Sequence, residues 1–307
     1  MSLWNRQYRL NFPEIKLEYA NTLKISFNVD KDLTRESNKC KVSIWNLSDE
    51  SRKKIEKEDV KVELYAGYKD NSGPVRMFIG SVITSQSKDT GKDIITELTL
   101  SDGQVAIRDS IFSISFAPGT DGRRIIQYIA DEMGLALVFG DGVKIGTYQN
   151  GYSFIGKGAD TLDEICKAQG CNWSIQNEVL QIIMQGGTSK SIGLVFSTGS
   201  GLIGSPERIV KANVKENKDT PKRKRRKKEG KEERQAGWKI KTLLAPTVNP
   251  GDAVKVESRV ITGWFKVETI SHSGDTHAGD WISEMTLIER LIYTDGTKKQ
   301  SSQTDNQ

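Results

Sequence analysis

The histidines are the first candidates for chemistry, because the chain has only two and both lie in one short segment. His272, Asp275 and His277 fall within six residues, and two imidazoles with a carboxylate could hold a metal ion. The segment also has the composition of a hairpin turn, and the sequence indicates no further ligand near it. We therefore expect a turn and predict no metal site, although the sequence alone leaves metal binding by the two histidines open.

A glycine pattern raises the question of nucleotide binding. Gly199, Gly201 and Gly204 have the spacing found in dinucleotide-binding loops. Such a loop needs a strand before it and a helix after it, because the pyrophosphate lies at the helix N-terminus. Here Pro206 follows at once, and a strand-like stretch comes next. We expect a glycine-rich connection and predict no cofactor.

Neither the cysteines nor any carboxylate pair indicates catalysis. Hydrolase chemistry would need an activated nucleophile or a poised pair of carboxylates, and the sequence shows neither. Cys40, Cys166 and Cys171 give no disulfide framework and no zinc pattern. Cys166 lies on the apolar side of a predicted helix, where a small buried residue is expected. We predict no catalytic residue and do not expect an enzyme.

One run of basic residues is the candidate contact with a partner or with DNA. Residues 222–234 hold nine basic and three acidic side chains, a net +6, so the rest of a chain of net charge +5 sums to −1. The candidate contact residues are consecutive: Lys222, Arg223, Lys224, Arg225, Arg226, Lys227 and Lys228. The run repels itself, which predicts a mobile loop, and it could bind an anionic surface by counterion release. It lacks interleaved aromatics for stacking on single strands, and a solvated loop is equally well supported.

The composition favours strands and turns over helices. The chain has 307 residues, 28 of them glycine, with 36% apolar residues and a mean hydropathy of −0.51. This length predicts two or three domains, and many short runs alternate apolar and polar residues. No stretch is apolar enough to span a bilayer, and no apolar segment follows Met1. We expect no signal peptide and folding in a cytoplasm.

Two distant parts of the chain carry the same three short patterns in the same order. The patterns match residues 41–44 with 239–242, 60–63 with 254–257, and 94–100 with 281–287. Val60-Lys61-Val62-Glu63, for example, recurs as Val254-Lys255-Val256-Glu257. Each match alone could be accidental, because these residue types are common in strands. Their shared order predicts two related small barrels or sandwiches in one chain.

Helical patterns appear in the first part and in the middle of the chain. Ser48 is expected to cap a short helix, with Asp49 and Glu50 in its first turn. Thr120 or Asp121 is expected to open a second helix that Gly134 ends. Asp160 or Thr161 is expected to open a third that Gly170 ends. Strands are predicted after the last two helices at 135–139, 172–176 and 179–184.

The order of several turn-rich stretches resembles that of phage tail baseplate hub proteins. These stretches are Ile44 to Ser48, Val62 to Tyr68, Phe78 to Gly80, Gly201 to Pro206, Leu243 to Pro246, Asn249 to Asp252, Gly263 to Val267 and His272 to Thr276. The resemblance covers most of residues 20–290. Each stretch is weakly specific by itself, and their order carries the resemblance. The basic run departs from the family pattern.

The resemblance implies an α+β, β-rich fold with two related β-barrels similar to the tail-tube protein. The residue patterns predict a first β domain at 1–105, two inserted helix-strand units at 106–187, a second β domain at 188–293 interrupted by the basic loop at 216–236, and a disordered tail at 294–307. The resemblance implies that both β domains are tube-like barrels.

The resemblance also implies a structural function, as the central hub of a contractile-type tail. The resemblance implies a homotrimer in which each chain supplies two barrels. The six barrels would match a sixfold tail tube above, and the three chains would match a threefold spike below. The implied partners are the chain itself, the tail tube protein, the spike protein and the tape-measure protein, with DNA only as the passing genome. The implied location is the virion baseplate, after assembly in the host cytoplasm.

Two other functions stay open from the residues. One is a nucleic-acid-binding β scaffold that acts through residues 222–234. The other is a tail-associated cell-wall hydrolase. Salt-dependent DNA binding would favour the first, and activity on peptidoglycan would favour the second.

Overall fold

The computed structural model of the chain describes residues 5–57, 59–71, 73–189, 193–211 and 235–289. The basic run at 222–234 and the predicted tail at 294–307 lie outside these ranges, so the expectations for both stay predictions. Every helix within the described ranges is too short or too polar to cross a lipid bilayer.

Strands dominate the described ranges, as the composition predicted. The strands are β1 (Arg6–Phe12), β2 (Leu17–Ala20), β3 (Ile25–Lys31), β4 (Lys39–Trp45), β5 (Lys61–Tyr68), β6 (Gly73–Asp89), β7 (Ile94–Ser101), β8 (Ile111–Phe116), β9 (Thr120–Asp121), β10 (Ala136–Phe139), β11 (Thr147–Tyr148), β12 (Tyr152–Lys157), β13 (Cys171–Gln176), β14 (Val179–Met184), β15 (Val195–Ser197), β16 (Leu202–Lys211), β17 (Gln235–Leu243), β18 (Ala253–Glu257), β19 (Thr262–Asp275) and β20 (Trp281–Glu289). The helices are α1 (Asp49–Ile55), α2 (Gln104–Asp109), α3 (Gly122–Glu132) and α4 (Gly158–Gln169).

One large sheet runs through both ends of the chain. Its main path is β16-β17-β20-β19-β3-β4-β7-β6-β5-β1-β2, with every neighbouring pair antiparallel. β18 pairs with β19, and β15 pairs with β18 in parallel. We call β1–β7 the first β module and β15–β20 the second β module. Strand pairing among the described residues leaves the path open, so the two separate barrels that the resemblance implies are not confirmed, and no closed barrel is observed in this part of the chain.

The middle of the chain holds the smaller sheets. β10, β14 and β13 form a three-stranded sheet, in which β10 runs parallel to β14. Its strands match those predicted at 135–139, 172–176 and 179–184 to within one residue at either end. β8 and β12 form an antiparallel ribbon that the sequence analysis missed.

Most helix ends lie where the cap residues predicted them. The hydroxyl of Ser48 accepts a hydrogen bond from the Ser51 backbone N–H at 3.2 Å, which caps α1. Asp121 caps α3 in the same way, and Gly170 ends α4 in a left-handed conformation with φ 66°. The predicted start of α4 at Asp160 or Thr161 is wrong. The helix begins at Gly158, and Lys157 occupies the cap position without a side-chain hydrogen bond.

Buried apolar side chains form three clusters. The first fills the first β module and also takes in Leu244 and Trp281 from the second. Another lies among β8, α3, α4 and the three-stranded sheet, and includes Cys166 as the sequence predicted. The third fills the second β module. Leu244 and Trp281 therefore pack the two β modules against each other.

Candidate functional site

Direct strand pairing joins the two β modules. Residues 270–275 of β19 pair with residues 26–31 of β3 in six antiparallel residue pairs. On one face of this joint, Ser271 and Ser273 donate hydrogen bonds to the Asn28 side-chain oxygen, at 3.3 and 3.0 Å. On the other face, Phe27 packs edge-on against Trp281 with ring centroids 5.3 Å apart. The sheet is therefore continuous from one module into the other.

Both modules have the same strand order. The first contains β3-β4-β7-β6-β5, and the second contains β16-β17-β20-β19-β18. Their registers agree as well, because Lys41 pairs with Thr99 and Lys239 pairs with Thr286. These residues are the ones that the repeated sequence patterns placed in equivalent positions. Two of the three sequence matches therefore identify equivalent strands in register.

A β-bulge lies at the same place in both modules. In β6, the register with β7 skips Ile83, an extra residue just before Thr84, which pairs with Thr99. In β19, the register with β20 skips Glu268, an extra residue just before Thr269, which pairs with Thr286. A bulge bends its strand and increases the local twist. The equivalent long strands β6 and β19 thus change direction at the same point. This agreement is independent of residue type, so it strengthens the relation between the modules.

The third sequence match is displaced by two residues. Val62 pairs with Gly80, which lies two residues before Val82 and the bulge in β6. Val254 pairs with Phe265, which lies two residues before Val267 and the bulge in β19. Val62 is therefore equivalent to Val254, whereas the sequence match placed Val60 there. A shift of two residues keeps every side chain on its own face of a strand, so alternation alone cannot detect it.

One face of the continuous sheet is polar on both sides of the joint. Lys41 and Lys239 occupy equivalent positions on this face, as do Glu97 and Glu284. The Lys239 ammonium lies 2.8 Å from the Glu284 carboxylate, and this hydrogen bond lowers the pKa of Glu284 and raises that of Lys239. Both side chains are partly exposed, so the pair adds little stability. The arrangement makes a hydrated surface of mixed charge.

The opposite face of the sheet holds a buried lysine that connects the three parts of the chain. The Lys31 ammonium donates to the Met77 carbonyl at 2.6 Å, the Asn177 side chain at 3.0 Å and the Asn249 side chain at 2.9 Å. These acceptors belong to β6, to the turn between β13 and β14, and to the loop before β18. Burial lowers the pKa of Lys31 to about 8, and the negative charge of Asp102 opposes that shift. All three ammonium donors are satisfied.

Asp102 holds the turn that presents Asn177 to this lysine. Its carboxylate accepts hydrogen bonds from the backbone N–H groups of Asn177 and Glu178, at 2.6 and 3.0 Å. Both turn residues have positive φ, 55° and 61°, which suits a two-residue hairpin turn. Burial raises the pKa of Asp102 to about 6, although these hydrogen bonds and Lys31 favour the ionised form. We call Lys31, Asp102, Asn177 and Asn249 the polar junction.

The polar junction was not predicted from the sequence. The available signal was alternation: Ile25, Phe27 and Val29 point inward, and Lys31 continues the same series. A lysine at an inward position predicts a buried cation that needs acceptors. The sequence does not indicate that those acceptors come from residues 46, 146 and 218 positions away.

The turn expected for the histidine segment follows β19 and contains His277, whereas the prediction is wrong for His272, which lies within β19 and pairs with Val29 and Ser283. Asp275 accepts hydrogen bonds from the backbone N–H groups of His277 and Ala278, and His277 is exposed. His272 is fully buried, and its Nδ1 lies 2.7 Å from the Ser283 hydroxyl. Burial, reinforced by the charge of Lys31, lowers the pKa of His272 to about 3. Within the described residues, no group of three or more His, Cys, Asp or Glu could hold a metal.

The other candidate residues do not form a site with these groups. β16 begins at Leu202, inside the glycine pattern, so a strand stands where a dinucleotide loop would need a helix. All three cysteines are free and buried. Lys222 to Lys228 lie in the connection between β16 and β17, outside the described residues.

The chain is similar to a family of known tail proteins and to solved structures of low sequence identity. The family model Baseplate hub gp41 matches residues 9–207. No curated protein matches the sequence. The 43 kDa tail protein of prophage MuSo2 from Shewanella oneidensis shares 10% identity with a TM-score of 0.63, over 94% of this chain and 98% of its own. A tail protein from Neisseria meningitidis MC58 shares 12% identity with a TM-score of 0.63, over 93% and 97%.

A third solved structure links the fold to a secretion system. The E. coli c3393 protein shares 11% identity with a TM-score of 0.56, over 89% of this chain and 74% of its own. It is a component of the type VI secretion system, with structural similarity to the T4 tail proteins gp27 and gp5. At these identities the solved structures show a shared fold, and the match over residues 9–207 shows the family. The chain belongs to the Baseplate hub gp41 family and is a structural protein of the phage tail.

Proposed function

We propose that three copies of the chain form a ring that joins a sixfold tail tube to a threefold spike. The single observation that carries this proposal is the equivalence of the two β modules in strand order, register and bulge position. Three chains with two equivalent modules each present six similar units while keeping threefold symmetry. A tube of six subunits can then bind one side and a trimeric spike the other.

The polar face of the continuous sheet is proposed to line a channel for the genome. It carries lysines and glutamates in both modules, including Lys41, Lys239 and Glu284, rather than an apolar surface. A mixed-charge, hydrated face lets a polyanion pass without binding it tightly, because counterion release requires an excess of positive charge. DNA is then a passing cargo and not a bound ligand.

The division of the chain follows from this role. We propose tube-like modules at 1–105 and 188–293, separated by an insertion at 106–187 that lies outside the ring. The proposed partners are the tail tube protein, the spike protein and the tape-measure protein, and assembly takes place in the host cytoplasm. Each module would need its outer edges covered by a neighbour to complete a barrel.

The mass of the purified protein in solution tests the proposal. Sedimentation or native mass spectrometry over a wide concentration range is expected to show a trimer, and electron microscopy should show a ring with six similar units around a channel. A monomer at every concentration, or a dimer with twofold symmetry, would rule out the threefold ring.

A further inference from the structure

The second half of the long strand β6 has one free edge. β5 pairs with β6 only as far as Ser81, and β7 covers the other side of the strand to Asp89. Among the described residues, no strand pairs with the remaining edge of residues 84–89. Unpaired edges of this kind readily accept another strand. Five of these six residues are exposed.

The equivalent half of β19 is occupied. β18 pairs with β19 only as far as Lys266, and β3 takes the edge of residues 270–275 beyond the bulge. Because β6 is equivalent to β19, residues 85–90 correspond to the residues that bind β3. The first β module therefore carries a second copy of the acceptor edge, without its strand.

The matching donor strand is β16. β16 is equivalent to β3, since β3 pairs with β4 and β16 pairs with the equivalent strand β17. β3 uses both of its edges, one for β4 and one for β19. Within the described ranges β16 pairs with β17 alone, so the edge corresponding to the one that binds β19 is free.

We propose that the free edge of β6 in one copy pairs with β16 of a second copy, reproducing between chains the β19–β3 joint that exists within each chain. This inference rests on the proposed trimer and specifies its contact. Acceptor and donor edges lie at different places on the molecule, so the contact is head-to-tail and generates a ring if the rotation closes. Three such joints alternate with three β19–β3 joints.

The register of the known joint predicts the register of the new one. Within the chain, Ser273 of β19 pairs with Asn28 of β3. Lys88 is equivalent to Ser273, since each lies four residues after the threonine that follows the bulge. Glu207 is equivalent to Asn28, since they pair with the equivalent lysines Lys239 and Lys41. Lys88 and Glu207 are both exposed, carry opposite charges and would lie directly opposite each other. The same register pairs Ser87 with Arg208.

A second charge pair supports the same register. Asp89 would lie opposite Pro206, which places Asp89 diagonally across from Arg208 on the same face. Both charged residues are exposed in the single chain. A slip by one residue towards the C-terminus of β16 would move Lys88 opposite Arg208 and bring like charges together, and a slip the other way would place Lys88 opposite the uncharged Pro206. Of these three registers, only the proposed one places Lys88 opposite a carboxylate.

Disulfide cross-linking tests the contact. A Lys88→Cys chain is mixed with a Glu207→Cys chain that carries a larger tag, under mild oxidation by a small disulfide such as oxidised glutathione, which is reduced to two thiols for each bond formed. Opposite residues in antiparallel strands have Cα atoms about 4.5–5.5 Å apart, within disulfide range. The expected product is a mixed-size dimer, and the control is Lys88→Cys mixed with Arg208→Cys.

The outcomes separate this inference from the proposed function. Cross-linking of 88 with 207 at least about tenfold above 88 with 208 would support the contact, since only the first pair points to one face. A trimer by mass without preferential 88–207 cross-linking would overturn the strand pairing and leave the trimer intact. A monomer without cross-linking would overturn both.

Charge exchange gives a second measurement that does not depend on oxidation. Lys88→Glu or Glu207→Lys alone places like charges opposite each other and should weaken association roughly two- to fivefold per joint. The double exchange Lys88→Glu with Glu207→Lys should restore it. Failure of the double exchange to rescue a weakened trimer would contradict direct pairing of these two residues.

Discussion

At the scale of single residues, the buried polar groups hold the parts of the molecule in fixed relation. Lys31 contributes three hydrogen bonds to three separate segments, so its side chain determines distances that no apolar contact specifies. His272 and Ser283 form a second buried pair, and the Ser283 hydroxyl also accepts the Ala245 backbone N–H at 2.9 Å. Such groups are costly when one partner is removed.

Replacing Lys31 by methionine is expected to destabilise the protein by roughly 2–4 kcal/mol, because the buried Met77 carbonyl and two half-buried asparagine oxygens each lose a hydrogen bond from the ammonium. The free energy of unfolding from urea denaturation measures the change. Lys41→Met is the matched control, since Lys41 is exposed on the polar face of the adjacent strand. It should change stability by less than about 0.5 kcal/mol. Equal stability of the two variants would show that the polar junction does not hold the modules.

His272 is expected to make stability fall in acid. The unfolded chain protonates this imidazole near its ordinary pKa of 6.5, whereas the folded chain excludes the proton until about pH 3. Between these values the unfolded state binds more protons, so unfolding becomes easier as pH falls, by up to about 1.4 kcal/mol per pH unit.

Urea denaturation between pH 3 and 7 measures this dependence. The His272→Gln variant should show a shallower fall in stability, because glutamine does not titrate. His277→Gln is the control, since His277 lies in an exposed turn. The same pH dependence in the wild type and the His272→Gln variant would contradict the assignment.

At the scale of elements, the joint between β19 and β3 depends on close packing at a glycine. A Cβ atom on Gly274 would lie 2.2 Å from Phe27 Cζ and 2.8 Å from Trp281 Cε3. These two rings pack edge to face across the joint. A side chain at this position would push them apart and disturb the pairing of the modules.

Gly274→Ala is therefore expected to cost roughly 1–3 kcal/mol of folding free energy, as overpacking in a core does. Gly263→Ala on the same strand is the control, because its nearest atoms would be 3.6 Å from the new Cβ. Thermal denaturation of both variants gives the comparison. A Gly274→Ala protein as stable as the control would mean that the joint tolerates separation of the rings.

Sequence reasoning predicted the elements better than it predicted how they join. Alternation and cap residues located β7, β20, α1 and α3, because these signals are local. The extension of β6 to Asp89 was missed, since Ser85 to Lys88 are polar and look like a turn. The polar junction could not be predicted in full, because its members are far apart in the chain.

At the scale of the whole molecule, charge is divided unevenly along the chain. The run at 222–228 holds seven positive charges, whereas the polar face of the sheet mixes both signs. Long-range attraction of DNA depends on net positive charge and is screened by salt. The basic run and the polar face are therefore expected to behave differently towards nucleic acid.

Replacing Lys222 to Lys228 by serine changes the net charge from +5 to −2 and is expected to spare the trimer. Any DNA binding by the wild type at low salt should be lost in this variant, because no cluster of positive charges remains at 222–228 to displace counterions from the phosphates. Replacing Lys39, Lys41, Lys239 and Lys241 by serine is the comparison variant. Sedimentation and DNA titration at two salt concentrations measure both properties. Loss of the trimer in the 222–228 variant would show that the run takes part in assembly.

The covalent connection between the two β modules has a consequence for assembly kinetics. The β19–β3 joint is intramolecular, so it forms at an effective concentration set by the length of the chain, whatever the protein concentration. Half of the contacts in a six-unit circle would thus be present before any two molecules meet. Three contacts between molecules would remain, of which two form when molecules meet and the third closes the circle. Dilution should then separate the circle into whole chains and never into single modules.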